Sequence, residues 1–113
     1  MVGVALALVL AGPARGDPGA DAYASDCAGC HSLTGPSTAS GPSLKGVMWR
    51  KVADLSDFAY SPALKETAGT WTPQRLDAFL KDTQGFAPGT DMYFTIEDAA
   101  RRRAIIEYLE STK

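Results

Sequence analysis

Histidine and cysteine are scarce in this chain, with one His and two Cys among 113 residues. There is no third Cys and no second His with which to close a tetrahedral zinc site around a Cys-x-x-Cys pair. Strand-like alternation and internal repeats are also missing, which leaves an all-α fold with long ordered loops. The βαβ surroundings of a thioredoxin-like dithiol are absent as well. Basic residues number 11 against 13 acidic ones, and no basic stripe with interleaved aromatics runs along the chain, so nucleic acid is not an expected partner.

Long apolar runs are missing too. The first ten residues are almost wholly apolar, yet they fall well short of the ~20 residues that span a bilayer. Small residues follow, with Ala14 and Gly16 where a processing enzyme needs small side chains. We read 1–16 as a secretory signal, although no positive charge precedes its apolar core, and 17–113 as a single domain; the alternative for the first segment is an uncleaved membrane tether. Removal of the signal leaves 97 residues with 10 basic (Arg15 gone) and 13 acidic, a formal charge of −3. Such a chain buries a modest core by itself, a limit that a large apolar cofactor at its centre would relieve.

The sparse cysteines and the lone histidine are clustered as Cys27-Ala28-Gly29-Cys30-His31. Two thiols separated by two residues and followed at once by an imidazole form the attachment pattern of a c-type haem. On one helical turn both sulfurs face the same side, where each can add across a vinyl group of one porphyrin edge, and the next residue can turn its ring under the iron. The competing reading is a bare dithiol or disulfide. A ligating imidazole passes its second nitrogen's proton to a fixed acceptor. Pro42, in the stiff Gly41-Pro42-Ser43-Leu44-Lys45-Gly46 stretch, offers a carbonyl for that role; otherwise this is an ordinary Pro-Gly turn.

A second axial ligand is required unless that face of the iron is open, and no further His exists to supply it. Met92 follows the turn-forming Pro88-Gly89 pair and is the better candidate; Met48, beside Trp49 and Arg50, reads as packing, and Met1 is terminal. Asp17-Pro18 reads as cap and first turn of a helix that carries Gly19, Tyr23 and Cys27 along one face. Ser61-Pro62 opens a short helix ending at Ala68-Gly69, and Thr72-Pro73 opens another, with Leu76, Phe79, Leu80 and Thr83 at helical spacing and Gly85 as its stop. The indole N–H of Trp71 wants a partner if buried, either a haem propionate or a backbone carbonyl. The last helix opens at Thr95-Ile96-Glu97-Asp98, read as a capping box with Asp for Glu, and presents Ala104, Ile105, Tyr108 and Leu109 on one stripe. Arg101-Arg102-Arg103 is a solvated helical face or a docking patch.

From about Gly19 to Leu109 the chain resembles the class I, mitochondrial-type cytochromes c and their small bacterial relatives. The matching elements stand in the family's order: Gly19 and Tyr23, the Cys27/Cys30/His31 motif, Gly41-Pro42-x-Leu44-x-Gly46, Arg50 and Tyr60, Trp71, Pro88-Gly89-Thr90-x-Met92-x-Phe94, and Ile105 with Tyr108. The resemblance implies three main helices plus short ones around a single haem c, held by thioethers at Cys27 and Cys30 with His31 and Met92 as axial ligands. It further implies that Pro42 accepts from His31, that Arg50, Tyr60 and Trp71 surround a propionate, and that Gly19 and Tyr23 pack against Ile105 and Tyr108 where the first and last helices cross.

Some positions depart from the family. Phe79 stands where a tyrosine is usual, and Thr83 where proline is common. The lysines that ring the exposed haem edge in mitochondrial members are replaced by Asp21, Asp26, Gln84 and Asp91. The resemblance implies a periplasmic one-electron carrier between a bc-type complex and an oxidase, reductase or photosynthetic reaction centre, meeting the membrane only through its partners if the first segment is cleaved. Two alternatives stand beside it: a haem enzyme or gas or redox sensor with a labile Met92, and a membrane-tethered haem module of a larger oxidoreductase.

Overall fold

Three helices begin where a side-chain oxygen precedes a proline. In the computed structural model, which describes residues 17–112, Asp17 caps α1 (Pro18–Asp26) by accepting from the Gly19 N–H at 2.8 Å. Ser61 caps α2 (Pro62–Lys65), accepting from Leu64 at 3.2 Å, and Thr72 caps α3 (Pro73–Lys81), accepting from Arg75 at 3.1 Å. Proline costs nothing at a first helical position, because its missing N–H would be unpaired there anyway. The further helices are α4 (Thr83–Phe86) and α5 (Ala99–Ser111). Among the described residues there is no strand, only an isolated bridge between Lys51 and Thr70. The expected all-α fold with three main helices and short ones between them is what the chain adopts.

Three boundaries differ from those read in the sequence. The α2 helix stops at Lys65, before Ala68-Gly69. The Thr67 hydroxyl donates to the Ala63 carbonyl at 2.9 Å, and the Thr67 N–H turns to Leu64, so the side chain displaces the backbone from the helical ladder. The third helix does not run on to Gly85. Asp82 leaves helical geometry (φ −157°, ψ 88°), and its carboxylate accepts from the Gly85 N–H, ending α3 and capping α4 at once. The last helix is capped by Asp98, whose carboxylate accepts from Ala100 at 3.0 Å, and not by Thr95. Ile96 explains this: its side chain is buried and its N–H pairs with the Leu80 carbonyl at 2.8 Å, which holds 95–97 outside the helix.

The first and last helices cross at Gly19. A β-carbon there would fall on the Ala104 carbonyl oxygen and 2.7 Å from Tyr108 Cβ, so only glycine lets the two backbones meet. Tyr23 and Tyr108 pack beside this point with ring centroids 5.7 Å apart. The Arg101 guanidinium grips Asp26 with two hydrogen bonds, 2.6 and 3.1 Å.

The arginine run is therefore not a uniformly solvated face. Arg101 ties α5 to α1, and Arg102 is buried, donating to Asp77 on α3 at 2.8 Å and to the Ile96 and Glu97 carbonyls at 2.8 and 2.9 Å. Of the three, Arg103 is the exposed one. The core formed between α1, α3 and α5 joins Tyr23, Leu76, Leu80, Ile105, Ile106 and Leu109 to Trp71 and Phe79. It leaves one side open to the loops on which the site is built.

Candidate functional site

Cys27 ends α1, with its N–H on the Tyr23 carbonyl. The chain then makes one tight turn in which Cys30 and His31 both donate to the Cys27 carbonyl, at 3.1 and 3.0 Å. This turn sets all three side chains on one crevice. Cys27 lines an inner cavity of about 70 Å³, Cys30 an outer one of about 220 Å³, and His31 the wall of both. The cysteines form no disulfide, and burial pushes the Cys27 thiol up to about 11. A redox dithiol works through a lowered thiol pKa, the opposite of what burial does to Cys27.

The His31 Nδ1 lies 2.8 Å from the Pro42 carbonyl oxygen. A carbonyl carries no proton, so Nδ1–H is the donor and Nε2 keeps its lone pair for a metal. Burial holds His31 below the usual imidazole range; the Pro42 hydrogen bond opposes this and the Arg50 charge adds to it. The neutral, metal-binding form is thus favoured.

The acceptor is itself fixed. The Thr38 hydroxyl donates to the Cys30 carbonyl at 2.6 Å and accepts from the Gly41 N–H at 3.1 Å, tying the Pro42 loop to the cysteine turn. Asp57 accepts from both the N–H and the hydroxyl of Ser37, whose oxygen accepts in turn from Ser43. Gly41 lies so close that a β-carbon would sit 2.7 Å from His31 Cε1. Tyr23 adds a longer hydrogen bond, 3.4 Å, to the His31 carbonyl.

Met92 comes to the same cavities from a separate loop. Gly89 takes a left-handed φ of 95°, which residues with a β-carbon rarely adopt, and the Ala87–Thr90 turn that contains it is closed by Thr90 N–H to the Ala87 carbonyl at 2.9 Å. The half-buried Met92 lines both cavities, as do His31, Tyr60 and Phe79. Met48 is buried in the hydrophobic core and lines neither cavity, in keeping with its reading as packing.

Arg50, Tyr60 and Trp71 meet on the inner cavity. Arg50 donates to the Lys45 and Ser43 carbonyls at 3.1 and 2.9 Å, while its Nε is buried without a partner. The Tyr60 hydroxyl accepts from Leu55 N–H and keeps its own proton to give. Among the described residues the Trp71 indole N–H has no hydrogen bond. Unmet donors on an otherwise apolar cavity fit an anionic oxygen such as a haem propionate, and Val47, Leu76, Leu80, Ile105 and Leu109 fit an apolar ring. A haem thus suits the residues present.

Of the positions that replace the family's lysines, Asp21 and Asp91 are exposed, but Asp26 is held by Arg101 and Gln84 bonds its own loop. Thr38, Gln84 and Arg102 support the site without any spacing signal in the sequence to mark them.

Comparison with known proteins agrees with this geometry. The family model described as Cytochrome c matches residues 16–113. A cytochrome c-type cyt cy of Rhodobacter capsulatus is 39% identical over 94 residues, covering 82% of this chain; the chain spans only 47% of that longer protein. Cytochrome c of Tetrahymena pyriformis is 43% identical over 94 residues, covering 82% of this chain and 84% of its own length. The solved structure of cytochrome cH from Methylobacterium extorquens superposes with a TM-score of 0.76 at 34% identity, over 83% of this chain and 95% of that one. With the cysteine turn, the single histidine and the methionine loop converging on one crevice, these likenesses make the chain a member of the class I cytochrome c family.

Proposed function

We propose that the chain carries one haem c through thioethers at Cys27 and Cys30, takes His31 and Met92 as axial ligands, and acts as a one-electron carrier rather than an enzyme. The observation that carries this reading is that His31 and Met92, from two separate rigid turns, line the same two cavities. When bound, the haem supplies an iron that gains and loses one electron. His31 offers Nε2 because Pro42 holds its other proton. Met92 offers a soft thioether, which favours the ferrous state, and the apolar wall disfavours the extra charge of the ferric one; both raise the potential. The donors of Arg50, Tyr60 and Trp71 bind a propionate. With both axial positions taken from the protein, no place is left for substrate or oxygen.

The same reading places the protein in the periplasm. Residues 1–16, read as its export signal, lie outside the described residues, and among the described residues no helix is long and apolar enough to cross a membrane. It takes electrons from a bc-type complex and passes them to an oxidase, a reductase or a reaction centre.

The mouth of the outer cavity supports a docking assignment of the same kind. Exposed Tyr93 and Phe94 stand there, and Asp91 is the one formally charged residue in its lining. Such a face suits a neutral or basic partner. The test is the rate of electron transfer to an acidic-faced oxidase of the mitochondrial kind: it should be slow and nearly independent of salt, and a fast rate that falls steeply as salt rises would overturn the docking assignment. Intact mass and the visible spectra of the exported protein test the rest. One haem on a chain beginning near Asp17, low-spin when oxidised, is the expected result; a chain without haem would refute attachment, and one retaining residues 1–16 would refute cleavage of the signal.

A further inference from the structure

The span that carries Met92 is pinned at both of its ends by side chains. Downstream, the Ile96 N–H donates to Leu80 and the buried Arg102 takes the Ile96 and Glu97 carbonyls. Upstream, the primary amide of Gln84 on α4 spans the turn before the methionine: its Oε1 accepts from the Gly89 N–H at 3.1 Å and its Nε2 donates to the Thr90 carbonyl at 2.8 Å. The two partners fix which way the amide faces, since an N–H needs the oxygen and a carbonyl needs the NH2. Between Thr90 and Ile96 the chain is mostly exposed, with Asp91, Tyr93, Phe94 and Thr95 turned outward and only Met92 half-buried.

We infer that Gln84 is a positioning residue for Met92, acting through the Gly89–Thr90 turn and not by touching the haem; this rests on the reading of Met92 as an axial ligand. Free rotation about Gly89 is the cheapest way for the turn to swing Met92 away, because glycine resists neither sign of φ. The Gln84 amide bonds both that glycine and the next residue, so rotation must break both hydrogen bonds. Only a side chain offering an acceptor and a donor on one planar group can do this. Glutamate keeps the acceptor alone, lysine the donor alone and leucine neither.

The test uses the haem-loaded protein with Gln84→Leu, Gln84→Glu and Gln84→Lys. Imidazole binding to the ferric form reads how often Met92 leaves. Gln84→Leu should tighten it about tenfold, as expected for the loss of two modest hydrogen bonds, with Glu and Lys in between, and the methionine–iron charge-transfer band should weaken in the same order. Exchange of the Gly89 amide proton should quicken in Gln84→Leu. Arg101→Leu serves as the control: it removes an ion pair outside the loop, lowers thermal stability and leaves imidazole affinity unchanged. Equal imidazole affinity across the Gln84 series, or an Arg101→Leu effect as large as that of Gln84→Leu, would overturn the assignment. Absence of the charge-transfer band from the unmutated protein would instead refute Met92 as the ligand, which keeps the two failures apart.

Discussion

Substituting Gly19 by alanine adds one methyl group at the crossing of α1 and α5. Its β-carbon would lie on the Ala104 carbonyl oxygen, 2.7 Å from Tyr108 Cβ and 3.0 Å from Ala104 C. Two of these three atoms are backbone, and the third is the rigid root of a side chain, so no rotamer change relieves the clash and the helices must part. Overpacking of this kind costs about 1–3 kcal/mol or more. Alanine returns at most ~1 kcal/mol through its better helix propensity, and less in a first turn. The net loss of roughly 0.5–2.5 kcal/mol should lower the thermal midpoint of a domain this size by about 3–15 °C. The assay is thermal unfolding of the haem-loaded variant, followed by far-ultraviolet circular dichroism. Gly35→Ala is the reference, because a β-carbon there meets only the Ser32 hydroxyl oxygen at 3.4 Å, an ordinary contact. Were Gly19→Ala to melt at or above the unmutated midpoint, the close crossing of the two helices would be wrong.

Three other outcomes follow from single groups. Replacing Met92 by alanine should lower the reduction potential by roughly 0.1 V or more, within the ~0.8 V that axial ligation spans, and admit exogenous ligands; an unchanged potential in a redox titration would name the wrong sulfur. The Thr83 hydroxyl is wholly buried without a partner, so Thr83→Val should raise stability by about 1 kcal/mol in urea unfolding, and a loss would reveal a partner for that oxygen. Ser37 holds the Asp57 carboxyl below the ordinary carboxylate range. A lowered folded-state pKa stabilises above the unfolded value and is lost as pH falls through the folded one. Asp57→Asn should therefore unfold at lower urea than the unmutated protein near neutral pH, with the gap closing below pH ~4; a gap that persists in acid would discount the ionised carboxylate.

What the sequence reveals of the site is what local chemistry alone decides. Asp17, Ser61 and Thr72 each precede a proline, and each caps a helix, because cap and first turn are set within four residues. The pairing of His31 with Pro42 is legible because a ligating imidazole demands an acceptor and the stiff Pro42 loop offers one. The errors fall where distant groups decide. Thr95 reads as a cap until Ile96 is drawn into the core from Leu80, leaving Asp98 to start α5. Arg102 looks like surface until α3 brings Asp77 beside it. Gln84 aligns with a docking lysine, and only the closed Gly89–Thr90 turn shows that its amide is already engaged.

Carbon monoxide titration of the ferrous haem-loaded protein at neutral pH bears most directly on the carrier function. If His31 and Met92 hold both axial positions as proposed, the ferrous spectrum should stay low-spin and unchanged as carbon monoxide is added. Ready uptake at micromolar gas, with a high-spin spectrum beforehand, would mean an open iron and an enzyme or sensor in place of a carrier.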